Sequence, residues 1–466
     1  MLSRKEASPE TLVKIGNALI RSRMEYGATI YGNAAKTHRN KLQVLQNSYI
    51  RKAMNYLSST PVHVMLAESG QLPMELRIES LTKRELIRTI WYRTPLMKFV
   101  GPTMDREMGN ESFLTEVAEK HLDVLFQVNP SDRELPSLMR MRTFERVEMD
   151  RIVETSLSGE RLKKERTAPE VWQARFKEAY QTKYKHHTKI FTDASKTSTG
   201  TAIAVYDEAD SDNITESINS NFSITNAELL GILKALELIK AKGYRKAVIF
   251  TDSMSACEMI RNGRAVDNNY LIGEIYKEFL NNAESAIKVQ WIPSHMGIHG
   301  NEIADQLAVA KTQHKQSDYQ GVTAGDALVL SAKNTWEDWN RKYKEVSKDK
   351  GKWHYQLMEK PGKRIWSKEL ILNPKEVKIL NRIRSGHCMT KERRAKWGWE
   401  EDELCEWCEE TENLKHIIYE CPQYNLSRSQ FPALEYMKPL EVILQEGCEE
   451  EMKQIVKFLE ENNIHI

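Results

Sequence analysis

The run Ile190-Phe191-Thr192-Asp193-Ala194-Ser195 is a short β-branched and aromatic segment that stops on an aspartate. The pattern returns at Val248-Ile-Phe-Thr-Asp252-Ser253, so two apolar runs of strand length each end in Thr-Asp, with Asp193 and Asp252 at equivalent positions. Laid side by side and parallel, the two strands bring their carboxylates to one edge of a sheet. Between them, 201–206 and 214–224 read as a hairpin. Asn226-Ala-Glu228 then opens a helix with Leu229, Ile232, Leu233, Leu236 and Ile239 on one face. That helix is the long crossover a parallel return requires, and its spacing places Glu228 in the first turn, where the helix dipole favours an anion. Downstream the pattern predicts a helix ending near Arg261, a second over 270–280 and a strand over 287–292. A loop follows and runs into a helix through His295-Met-Gly-Ile-His-Gly-Asn301-Glu-Ile-Ala-Asp305.

Thr-Asp-Ala-Ser, Asn-Ala-Glu-Leu, Phe-Thr-Asp-Ser and His-Met-Gly-Ile-His-Gly-Asn-Glu-Ile-Ala-Asp, in this order, resemble the type I ribonuclease H fold of retrotransposons. The fold expected over 188–315 is therefore α/β, a mixed five-stranded ribonuclease H-like sheet with flanking helices, set between largely helical N- and C-terminal regions. The resemblance implies that Asp193, Glu228, Asp252 and Asp305 hold two Mg²⁺ ions, with Mn²⁺ as a substitute. It also implies that His295 moves protons or helps release product, and that Ser195, Asn226 and Asn301 contact substrate. The chemistry explains the residue types. Gathered carboxylates repel one another unless a cation neutralises them, and two hard cations about 3.5 to 4 Å apart suit in-line phosphodiester hydrolysis. Taken singly, an aspartate at a strand end commonly caps a turn, but independent caps have no reason to recur in this order. Two departures from the family are visible. Ala194 stands where many relatives have glycine, and only Asn262-Gly-Arg-Ala-Val-Asp-Asn-Asn269 occupies the place of a basic protrusion.

The chain has 466 residues, 40% of them apolar and 29% charged, with a formal net charge of +2. Such a chain is long enough for about three domains and apolar enough for real cores. No apolar run approaches the roughly 18 residues of a membrane span, no signal core follows Met1, and six cysteines in such a length suit a reducing compartment. An intracellular protein without membrane association is expected.

Residues 1–95 read as helical, with Leu12, Ile15, Leu19 and Ile20 on one face and Leu42, Leu45, Tyr49 and Ile50 on another. The stretches 24–35 and 41–53 resemble the region after the polymerase palm in jockey-like, non-LTR retrotransposon reverse transcriptase polyproteins, although no Tyr-x-Asp-Asp precedes them. The expectation is the C-terminal portion of such a polyprotein, or a reading frame derived from it. Over 96–187, Pro95, Pro102, Pro130, Pro136 and Pro169 break a charged connector whose basic end, 161–166 and 183–189, reads more simply as a solvated face than as a phosphate contact. The 316–400 region is basic and helical, with Trp353, Tyr355, Trp366 and Trp397 available either for stacking on bases or for a core.

Within 401–425, Cys405, Cys408, His416 and Cys421 form Cys-x2-Cys-x7-His-x4-Cys, a donor set for tetrahedral Zn²⁺ that resembles the C-terminal knuckle of the same polyproteins. Cys257, Cys388 and Cys448 read as ordinary unpaired residues, and 426–466 reads as a helical tail. Together these features predict a metal-dependent endonuclease that cuts the RNA strand of RNA·DNA hybrids. The competing expectation is a nucleic-acid-binding relic that keeps the fold without turnover. A DDE-type transposase fits poorly, because Glu228 precedes Asp252.

Overall fold

The computed structural model describes residues 7–32, 34–92, 113–125, 127–128, 149–157, 166–262, 269–314, 316–446 and 449–466. Pro95, Pro102, Pro130, Pro136, residues 161–165, most of the 262–269 connection and Cys448 lie outside them. The chain forms two compact units, one from residues 83–331 and one from residues 1–82 with 332–466.

The 83–331 unit is built on a mixed six-stranded sheet in the order β1-β6-β5-β2-β3-β4. Strands β2 (Thr188–Lys196), β3 (Thr201–Asp207) and β4 (Asp212–Ile218) form an antiparallel meander. β5 (Lys246–Thr251) runs parallel to β2, and β6 (Ala286–Trp291) parallel to β5. The expected five strands are thus joined by a sixth, β1 (Val153–Glu154), parallel to β6 through Val153↔Val289. A two-residue edge strand has no periodicity to read, which is why it is invisible in a charged connector. Thr192 pairs with Thr251, so Asp193 and Asp252 follow in register where β5 ends; the expected stop at Asp193 holds only against β5, since β2 continues to Lys196 through its pairing with β3.

The helix Ile224–Lys242 makes the crossover. Ser223, whose hydroxyl accepts from the Asn226 N–H, caps it, and Gly243 ends it at φ 66°. Its start lies before Asn226, so Glu228 is one residue beyond the first turn, and the dipole expected to favour its charge is weaker there. Leu230 and Leu238 are buried along with the expected face, because the helix packs on β2 and β3 on one side and on the helix Tyr270–Asn281 on the other. Phe191 and Phe250 stack between the parallel strands with ring centroids 5.1 Å apart. Gly300, near the start of the helix His299–Lys311, lies against the Phe191 ring where any Cβ would collide, so this helix approaches β2 closely enough to bring Asp305 to the strand end.

The other unit is helical. One core holds Ile50, Met54, Met65, Leu66, Trp339 and Tyr343, and a second holds Leu380, Ile383, Ile443, Met452, Ile455 and Phe458. The buried carboxylate of Glu68 joins chain segments far apart in sequence. Arg384 donates to it from Nε and from Nη2 at 2.9 Å, and His354 Nε2 lies 2.6 Å from Oε1. Burial alone would raise this carboxyl, but the charges and hydrogen bonds of Arg384 and His354 outweigh burial and hold it at about 2. Among the described residues, no helix is long and apolar enough to cross a membrane.

Candidate active site and metal centres

The twin strands deliver what their shared pattern predicts. Ligand-capable oxygens of Asp193, Glu228 and Asp252 lie within 4.8 Å of one another, with Asp193 and Glu228 buried. Asp305 lies outside that close group, near enough for its charge to act on Asp193. Burial, then the charges of Asp252 and Asp305, push the Asp193 carboxyl up to about 8. Burial and the charges of Asp193 and Asp252 raise Glu228 well above the usual carboxylate range. Glu228 Oε1 accepts the Ala194 N–H at 3.2 Å, whereas its Oε2 is buried without a hydrogen-bond partner. An orphaned carboxylate oxygen among like charges is the arrangement that a divalent cation completes, so the donor set fits Mg²⁺ or Mn²⁺. Ala194 is accommodated as extended backbone in β2 opposite Ile203.

His295 is exposed, adopts φ 54°, and holds Nδ1 4.0 Å from Asp305 Oδ2. Glu302, one helical turn before Asp305, joins these two in a second group of close ligand atoms. Glu302 stands inside the quoted 295–305 motif, but the reading of that motif gave it no role. Trp291 Nε1 donates to the Asp252 carbonyl at 3.1 Å, which ties β6 to the end of β5.

The three expected substrate contacts are placed differently. Ser195 is partly exposed beside Asp193. The Asn226 amide is buried, donating to Asp326 Oδ2 at 2.8 Å and Thr323 Oγ1 at 3.1 Å and accepting from Asn269. Asn301 is also buried, with Oδ1 unpartnered. Asp326 additionally accepts the Ser223 N–H at 3.2 Å, so a residue beyond the expected domain end secures the helix that carries Glu228. No local motif announces that role.

The cysteine cluster assembles in the other unit. Cys405, Cys408, His416 and Cys421 place their ligand atoms within 4.8 Å of one another. Cys405 and Cys421 sulfurs lie 3.9 Å apart, and Cys408 Sγ lies 3.4 Å from His416 Nε2. A tetrahedron with Zn–S bonds of about 2.3 Å has edges of about 3.8 Å, so the donor set fits zinc in spacing as well as in chemistry. Burial alone would raise the Cys405 thiol, but N–H groups of Trp407 and Cys408 bring it below its ordinary value, toward the thiolate that a metal needs.

The neighbouring basic stretch is largely engaged in structure. Arg384 binds Glu68, Arg393 donates to the Gly386 carbonyl at 2.9 Å, Lys391 pairs with Asp402 at 3.3 Å, and Arg394 pairs with Glu400 at 3.2 Å. Trp353 and Trp366 pack against the core and donate to Ile383 O and Asn381 Oδ1. Of the two roles open to these rings, packing is the one the structure supplies.

No curated protein matches the chain. Residues 185–313 match the family model for RNase H, and with the sheet order and the gathered carboxylates this match identifies an RNase H domain within the chain.

Proposed function

We propose that the chain is a metal-dependent endonuclease that hydrolyses the RNA strand of RNA·DNA hybrids and derives from a retroelement of the non-LTR kind. The observation that carries this reading is the carboxylate group where β5 ends beside β2, with Glu228 Oε2 buried and unpartnered near Asp193 and Asp252. Asp193, Glu228, Asp252 and Asp305 would hold two divalent cations, which supply Lewis acidity for the attacking water and the leaving oxygen. Around them the chain's own groups divide the remaining work. The Ala194 N–H orients Glu228, the Trp291 indole fixes the Asp252 backbone, and exposed His295 offers an imidazole for proton transfer beside Asp305.

Ser195, partly exposed next to Asp193, is the candidate contact for the 2′-hydroxyl, the group that separates RNA from DNA. The Cys₃His cluster would hold a structural zinc, because all four positions are filled by protein and none remains for water. The retroelement origin rests on the motifs of 24–53 and 405–421.

Incubating the full chain with end-labelled RNA·DNA hybrid and, separately, duplex DNA in Mg²⁺ tests the reading. Cleavage of the RNA strand of the hybrid alone is expected. An intact hybrid would assign the fold to binding without turnover, and equal cutting of duplex DNA would exclude recognition through the 2′-hydroxyl.

A further inference from the structure

The helix Pro169–Lys183 lies outside the segment that matches RNase H, yet two adjacent residues of it reach the site. Gln173 Nε2 donates to the Met296 carbonyl at 3.0 Å. On the other side of that peptide group, the Gly297 N–H donates to Glu302 Oε1 at 3.2 Å. One peptide group, between Met296 and Gly297, is therefore held at both edges. It lies between two left-handed residues, His295 at φ 54° and Gly297 at φ 72°. A Cβ on Gly297 would lie 2.5 Å from Gln173 Nε2, so glycine at 297 is needed for the amide to reach the loop as well as for the backbone angle. The neighbouring Trp172 is buried and packs edge-on against Trp291 with centroids 6.1 Å apart, and Trp291 is the residue that donates to the Asp252 carbonyl.

We propose that this helix is a positioning element of the nuclease site, in which Gln173 fixes the Met296–Gly297 peptide and thereby holds His295 over Asp305. The assignment rests on the nuclease reading above. Its physical content is that a side chain on the 295–297 bend, left-handed at both ends, has no rigid strand or helix beneath it. The imidazole keeps its place beside Asp305 only while the bend is held. Glu302 holds it from the helix that carries Asp305, and Gln173 holds it from a separate helix packed against Phe191 and Phe250 through Phe176. Substrate would meet His295 and not Gln173, so loss of the amide should act on turnover and leave hybrid affinity alone.

The test compares the full chain with Gln173→Glu, which keeps the methylenes and removes the donor, and with Gln173→Ala, which removes the donor without adding a charge. Steady-state cleavage of the hybrid is followed alongside amide hydrogen exchange of peptides covering 293–300. Both variants should lower kcat about fivefold with KM within about twofold, the loss of one intramolecular hydrogen bond. They should also speed exchange in 293–300 while leaving exchange in β2 and in the helix Ile224–Lys242 unchanged. Unchanged exchange at 293–300 in both variants would overturn the assignment. So would faster exchange with kcat intact, or a loss confined to KM. A parent chain that does not cut the hybrid at all would instead sink the nuclease reading, and exchange alone would then decide whether Gln173 holds the loop.

Discussion

At Asp193 a carboxyl group is pushed up to about 8, first by burial and then by the charges of Asp252 and Asp305. Such repulsion, which a divalent cation would relieve, destabilises the fold when no cation is bound. Asp252→Asn removes one of those charges at nearly constant shape, and two opposite effects follow. Cleavage of the hybrid in Mg²⁺ should fall by on the order of a hundredfold or more, because a charge that supports the reacting centre is gone. In chelator the variant should melt higher than the parent, by roughly 2–4 °C, since less like charge is crowded at the strand ends. Parallel melting curves and rate measurements check both, and a variant that cuts at the parental rate would place the chemistry elsewhere.

The gathering of Asp193 with Asp252 was legible in sequence because Thr-Asp recurs after two apolar runs of strand length. The environment of Asn226 and Asn301 was not. An asparagine two residues before a helical glutamate reads the same whether its amide faces solvent or, as here, Asp326 and Thr323 a hundred residues downstream.

Among the elements, β2, β5 and the 224–242 crossover were readable from period and spacing, since each is long enough to show its repeat. The start of the crossover was misread by two residues because Ser223, not a residue nearer Asn226, caps it. β1 was not readable, as two residues carry no alternation. The Cys₃His cluster is a group of side chains whose donors fit one ion. Cys405 and Cys408 come from a short turn closed by the Leu404–Thr411 bridge, and His416 and Cys421 from a single π-helical turn, His416–Glu420, and the residue after it. The purified full chain should therefore carry about one zinc under reducing conditions. Cys408→Ser should lose the metal and increase proteolytic nicking near 400–425, while hybrid cleavage at high enzyme concentration survives. Elemental analysis together with limited proteolysis decides this, and a Cys408→Ser protein that retains its zinc would remove Cys408 from the ligand set.

At the scale of the whole molecule, Glu68, His354 and Arg384 bring three distant parts of the chain onto one buried carboxylate. In sequence they look like three ordinary surface residues, so neither the ion pair nor the union of 1–82 with 332–466 could be read there. The folded Glu68 carboxyl is depressed to about 2, against 4.5 for an unperturbed glutamate. A depressed carboxyl contributes stability in full above its unfolded value and loses it as pH falls through the folded one. The contribution, about 3 kcal/mol, should therefore be present above pH 4.5 and vanish between there and about pH 2. Glu68→Gln should flatten that part of the stability profile in denaturant titrations. A profile of the same slope in both proteins would show that other carboxylates govern acid unfolding. Arg384→Met, which leaves Glu68 buried without its guanidinium, should cost about 3 kcal/mol at neutral pH in the same titrations.

The pairing of 1–82 with 332–466 also bears on how the protein is made. The ribosome delivers the first segment early and its partner only after the whole RNase H domain has emerged, so Ile50, Met54 and Leu66 have no Trp339 or Tyr343 to pack against for about 250 residues of synthesis. At 5 to 20 residues per second that is roughly 12 to 50 s of exposed apolar surface, long enough for a nascent-chain chaperone to bind it. The RNase H domain, contiguous in sequence, is free to fold during this interval. A product that stalls or terminates after the RNase H domain would thus carry that domain folded and the helical unit unfinished.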